Sequence, residues 1–144
     1  MKRALPALMP FWALLLAATP LQAQDASLRS DLTGVYTQAQ ADRGHQLYAF
    51  RCARCHDTGF SGAPRLGDGR FISDFLGHTV FDLADLIHTS MPVDQPGTTP
   101  RTEAADLTAY ILSVMHAPPG DTELAADDSV LQLIRIDPPK EKPE

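Results

Sequence analysis

The sequence predicts an all-α protein, about four to five helices joined by long loops rich in proline and glycine. Three observations predict it. Apolar residues recur at spacings of three and four in several separate segments. No run carries a trustworthy strand-period alternation. The 12 prolines fall mostly outside the helical segments. A chain of 144 residues suits one domain and is too short for two. Hydrophobic residues make up 44% and supply a core, whereas aromatics reach only 7%.

The first 23 residues read as an export signal rather than as part of the fold. Lys2 and Arg3 give a basic start, Leu8 to Ala18 an apolar stretch, and Thr19 to Ala23 a short polar-leaning run. Cleavage is expected near Ala23, although Leu21 is larger than the usual small residue three positions before a cut. The apolar stretch is about 11 residues, against the roughly 20 that a spanning helix needs, so no permanent membrane anchor is expected. Export places the mature chain in the periplasm of a Gram-negative bacterium. The remaining divisions are an N-terminal extension over 24–36, a folded domain over 37–117 and a C-terminal extension over 118–144.

Within that domain, Thr37-Gln38-Ala39-Gln40 has the form of a capping box opening a helix to about Arg54. Gly44, Tyr48 and Cys52 recur every four residues and share one face. A loop dense in turn formers runs from Asp57 to Gly69. Phe71, Ile72, Phe75 and Leu76 predict a short helix stopped by Gly77. Thr79 caps the next helix, with Phe81, Leu83, Leu86 and Ile87 as its expected buried stripe. After a loop from Met91 to Gly97, the last strong helix is expected to begin at Thr99, with Pro100 in its first turn. Leu107, Tyr110, Ile111, Val114 and Met115 mark its apolar face, and Pro118-Pro119-Gly120 ends it. The C-terminal extension carries a weaker apolar run, Val130 to Ile136, and closes on a stretch from Pro138 to Glu144 expected to be disordered.

The chemistry sits at Cys52-Ala-Arg-Cys55-His56. Cys-x-x-Cys-His is the attachment signal for c-type haem. Two thiols three residues apart each add to one haem vinyl group, and the next residue presents its imidazole to the iron. A disulfide between Cys52 and Cys55 is the competing reading, but a thioredoxin-like motif needs a strand ending at a helix start. Half of a zinc site is a second competitor, with no other cysteine pair to complete it. One such motif implies one covalently bound haem c, with Cys52 and Cys55 as attachment points and His56 as an iron ligand.

Thr37 to His116 resembles a class I, mitochondrial-type cytochrome c domain. In that family a glycine and an aromatic on the N-terminal helix pack against an aromatic on the C-terminal helix. Gly44 and Tyr48 match the first pair, Leu107 and Tyr110 the second. The resemblance implies a cytochrome c fold wrapped around the haem. It also implies a Met ligand from the loop before the last helix, and Met91, 35 residues after His56, is in that place. A thioether opposite histidine raises the potential, and six-coordinate iron has no open position for oxygen. Pro64 matches a family proline whose carbonyl accepts the proximal imidazole N–H, an outer-shell bond that orients the ring. Met115 reads as core. His45, His78 and His116 read as surface or capping residues, and His88 is the one rival to Met91.

More distantly, the chain is similar to small periplasmic cytochromes paired with quinoprotein (PQQ-dependent) dehydrogenases. Gly34 to Thr37, Met91 to Gly97, Ala109 to Leu112, Glu123-Leu124 and Ile134 to Ile136 carry that similarity. It implies redox protein partners: a dehydrogenase that supplies electrons, and a terminal oxidase or another cytochrome that takes them.

Charge is uneven. The chain carries −6 in full, and 10 basic against 18 acidic residues leave −8 over 24–144. Residues 42–70 hold Arg43, Arg51, Arg54, Arg65 and Arg70 against three aspartates, net +2, whereas 71–144 hold 4 basic and 13 acidic residues, net −9. These arginines are candidates to pair with haem propionates or to steer a partner. The acidic balance excludes nucleic-acid binding. No catalytic constellation accompanies the haem motif, so an electron carrier is expected. A haem enzyme or a gas or redox sensor, with Met91 labile or absent from the iron, is the alternative.

Overall fold

Thr37 opens the first long helix as expected, its Oγ1 accepting the Gln40 N–H at 3.1 Å. The computed structural model describes residues 28–139. The export signal over 1–23 and the last residues of the C-terminal stretch, 140–144, lie outside the described residues. Among those described, helices α1 (Gln38–Arg51), α2 (Ala53–His56), α3 (Gly69–Phe75), α4 (Val80–Ser90), α5 (Arg101–Val114) and α6 (Asp128–Leu131) follow in order. That is six segments rather than four to five, because α2 and α6 are single turns. The fold class is all-α.

Helices α1 and α5 cross at the centre, and Gly44 is the crossing point. A Cβ built on Gly44 would lie 1.9 Å from the Asp106 carbonyl oxygen and 2.9 Å from Tyr110 Cβ. Only a residue without a side chain lets the two backbones meet this closely. Tyr48 and Tyr110 then pack beside it, ring centroids 5.1 Å apart. Leu107, Ile111, Leu112 and Met115 of the α5 segment are buried, Met115 in the core as expected.

Four expectations need correction. The capping box at Thr37 is half made: Gln40 does not reach back but turns inward to bond the C-terminal extension. Helix α1 ends at Arg51 rather than near Arg54, because Cys52, still right-handed, is stretched to φ −117°, ψ −36° before α2 begins at Ala53. On α4 the buried stripe is Val80, Leu83, Ala84 and Ile87. Leu86 is exposed and Phe81 only half-buried, beneath the Arg101 guanidinium. Helix α5 starts at Arg101, with Pro100 at the cap position and no capping side chain, since Thr99 bonds elsewhere.

The two extensions are not appendages. Arg29–Ser30 (β1) pairs in parallel with Ile134–Arg135 (β2), a short strand pair that the sequence pattern did not announce. Ile136 bonds the turn before α4, donating to the His78 carbonyl at 2.9 Å and accepting from the Gly77 N–H at 2.8 Å. Val35, Tyr36, Leu124, Leu131, Ile134 and Ile136 belong to the same buried cluster as the α4–α5 core. The expected divisions at 36/37 and 117/118 are therefore not boundaries of packing. Gly34 and Gly120 clamp this belt: a Cβ on Gly120 would sit 2.1 Å from the Gly34 oxygen.

Asp31 is buried under the belt, accepting the Asp137 N–H at 3.0 Å. Burial raises its carboxyl above the ordinary aspartate value. The same burial, with Asp31 nearby, pushes the Tyr36 phenol up to about 12, and its hydroxyl donates to the Ala117 carbonyl.

Candidate functional site

The break at Cys52 builds the site. The Cys52 carbonyl accepts both the Cys55 N–H at 3.1 Å and the His56 N–H at 3.0 Å. The chain therefore makes one tight turn that carries both thiols and the imidazole. Neither cysteine is in a disulfide, and burial raises the Cys52 thiol. Helix α2 follows a helix rather than a strand, which removes the thioredoxin-like context.

His56 Nδ1 lies 2.7 Å from the Pro64 carbonyl oxygen. A carbonyl only accepts, so Nδ1 carries a proton, and in the neutral ring Nε2 is then the nitrogen with the lone pair. The intervening loop returns to His56 by left-handed turns at Gly59 (φ 68°) and Gly62 (φ 79°). The half-buried His56 ring is thereby held in one orientation, with Nε2 unbonded among the described residues.

Met91 caps the C-terminus of α4, its N–H donating to the Ile87 carbonyl at 3.3 Å. Its carbonyl accepts the Thr99 hydroxyl at 3.0 Å. His88, the rival ligand, has its Nδ1 2.7 Å from the Thr99 carbonyl. His45 lies exposed beside the Tyr110 ring at 5.0 Å. His78 faces Asp82 at 3.7 Å, and His116 takes a left-handed φ of 69° beyond the end of α5.

The arginines are more committed than composition suggested. Arg43 makes a two-pronged bond to Asp106, both contacts at 3.0 Å, and reaches Glu123 at 2.8 Å. Arg51 bonds Glu103 at 2.7 Å and the Thr98 hydroxyl at 3.1 Å. Arg54 meets Asp94 at 3.3 Å on the surface. Three of the five arginines proposed for propionates or steering thus hold protein carboxylates. Arg65 and Arg70 have no carboxylate partner among the described residues.

The donor set fits a covalent haem. Two unbonded thiols and an oriented imidazole stand on one turn, and a thioether stands on the loop after α4. Leu66, Ile72, Phe75, Leu76 and Phe81 pack against the core yet remain partly exposed, apolar surface of the kind a macrocycle covers. Among the described residues no group of three or more His, Cys, Asp or Glu side chains is placed to hold a metal ion by itself. A depression between α1, α5 and the tail is lined by Arg43, Thr102, Asp106 and Glu123 and includes none of the haem-motif residues. No helix among the described residues is long and apolar enough to cross a membrane.

Sequence reasoning missed Asp57 and gave Arg51 and Thr99 other roles. Asp57 accepts the Tyr48 hydroxyl and ties α1 to the residue after His56. Arg51 links the residue before Cys52 to the Met91 loop. Thr99 closes that loop, although its place before a proline and a helix read as a helix start. No local signal marks any of the three, because each partner is distant in sequence or competes with a plausible local role.

An all-α fold with a Cys-x-x-Cys-His turn of this geometry defines the class of c-type cytochromes. Residues 39–111, just over half of the chain, match the family model of cytochrome C oxidase, cbb3-type, subunit III, and the chain belongs to that family. No curated protein and no solved structure shows significant similarity to it. The family implies covalently bound haem c and a role in electron transfer with redox protein partners, rather than an enzyme. The matched segment stops short of both extensions, so the belt lies outside what the family describes.

Proposed function

We propose that this protein is a monohaem electron carrier exported to the periplasm of a Gram-negative bacterium. It takes single electrons from a dehydrogenase of the quinoprotein class and passes them to a terminal oxidase or another cytochrome. Cys52 and Cys55 hold the haem, His56 and Met91 are the axial ligands, and Pro64 orients His56. The observation that carries this reading is the His56–Pro64 bond. In the neutral ring it leaves Nε2 as the nitrogen with a lone pair, on the same turn as the two thiols.

A haem held there supplies one-electron exchange between Fe(III) and Fe(II). The protein's own part is to keep both ligands in place in either state, so that little rearranges when charge changes. The Pro64 bond keeps the imidazole oriented and raises its basicity. The neutral Met91 thioether favours the reduced state and leaves no position open for oxygen.

Protein made in a haem-competent periplasm tests this. Mass spectrometry is expected to find one haem added and an N-terminus near Gln24. The oxidised protein is expected to show the weak long-wavelength band of sulfur ligation, and Met91→Ala to abolish it. Carbon monoxide binding to the reduced wild-type protein would instead make it a haem enzyme or sensor.

A further inference from the structure

The loop that carries Met91 is closed at its base by one buried residue. Thr99 is 2% exposed. Its hydroxyl donates to the Met91 carbonyl at 3.0 Å, and its own carbonyl lies 2.7 Å from His88 Nδ1. That nitrogen carries the proton, since the carbonyl only accepts. Both ends of the loop are thus bonded to each other and to the last turn of α4. Within the loop, the Gln95 N–H donates to the Pro92 carbonyl at 2.9 Å and the Thr98 hydroxyl to the Gln95 carbonyl at 2.8 Å. Thr99 does not cap α5, whose cap position is Pro100.

We propose that Thr99 and His88 are positioning residues for Met91: they hold the loop in the one conformation that presents its thioether to the iron. This rests on Met91 being an axial ligand. A neutral thioether competes poorly with nitrogen ligands once its loop is free to move. Prior ordering of the loop removes the conformational cost that would otherwise weaken it. His88 acts through this bond and not as a ligand itself.

The test uses the full haem-loaded protein and added imidazole as a competitor for the axial position. Thr99→Val removes the hydroxyl and Thr99→Ser keeps it. His88→Leu removes the ring N–H and His88→Asn keeps a donor near the same place. Thr99→Val and His88→Leu are expected to bind imidazole about tenfold more tightly, as the fraction of loop in the closed state falls. The Ser and Asn variants are expected to track the wild type. Unchanged imidazole affinity in Thr99→Val and His88→Leu overturns the proposal. If Thr99→Val fails to fold, judged by circular dichroism, the His88 pair decides alone. Met91→Ala in the same assay separates the two levels. If it retains the sulfur band, the ligand reading itself is wrong; if it loses the band while the positioning variants behave as wild type, only the positioning role fails.

Discussion

The side-chain amide of Gln40 lies edge to edge with the backbone of Leu124, 84 residues away. Nε2 donates to the Leu124 carbonyl at 3.0 Å and Oε1 accepts the Leu124 N–H at 2.7 Å. Gln40 is 2% exposed, so it serves as a buried stand-in for a strand partner. Replacing it with Ala leaves two buried backbone groups unpaired, at about 1–3 kcal/mol each. Gln40→Ala is expected to lower the stability of the haem-loaded protein, read from its denaturant midpoint, by about 2–6 kcal/mol in all. Its haem spectrum is expected to stay unchanged, because Gln40 touches none of the ligands. A wild-type midpoint would show that the belt does not depend on this pair.

Gly44 and Gly69 give a matched contrast. A methyl at Gly44 runs into the Asp106 backbone at 1.9 Å, whereas nothing lies within 4 Å of one at Gly69. Gly44→Ala is expected to cost about 3 kcal/mol or more, since the obstacle is backbone and both helices must part. Gly69→Ala is expected to stay within about 0.5 kcal/mol, the range of ordinary surface changes. Thermal melts followed by circular dichroism compare the two directly.

The belt makes its own prediction. Ile136 is fully buried, at 0% exposed, among residues that the family model does not cover. Truncating it to Ala is expected to cost about 2–5 kcal/mol, as for any large-to-small core change. An effect under about 0.5 kcal/mol would make the C-terminal extension a loosely held appendage.

Asp31 predicts the pH dependence of the same region. Burial raises its folded pKa above the unfolded value of 3.8. The neutral form is therefore the one the fold favours, and its stabilising contribution is lost as pH rises through the raised pKa. Asp31→Asn keeps an acceptor for the Asp137 N–H without the charge. It is expected to raise the melting temperature at neutral pH, with the gain disappearing as the pH falls below about 4. A gain that persists or grows in acid would contradict the sign. Asp137 moves oppositely: its hydrogen bond from Arg135 lowers its pKa, so its contribution is lost in acid.

Local signals carried far in this chain. Thr79 and Asp82 form the complete capping box, with the Asp82 carboxylate accepting the Thr79 N–H at 2.8 Å. Gly77 stops α3 with a left-handed φ of 83°. Gly44, Tyr48 and Tyr110 meet as their spacing and family likeness implied. Each of these depends on residues within one or two turns, or on a pattern that one helix face imposes on another.

By itself the sequence determined the four longer helices, the side-chain caps at Thr37 and Thr79, the glycine crossing and the turn that carries two thiols and an imidazole, because these follow from local geometry and spacing. Only the tertiary structure decided that Gln40 leaves its capping box, that Thr99 holds Met91, that three arginines are paired and that both extensions complete the core. A hydroxyl, amide or guanidinium bonds equally well to a near or a distant partner. Which one it meets is set by how the whole chain buries its apolar surface.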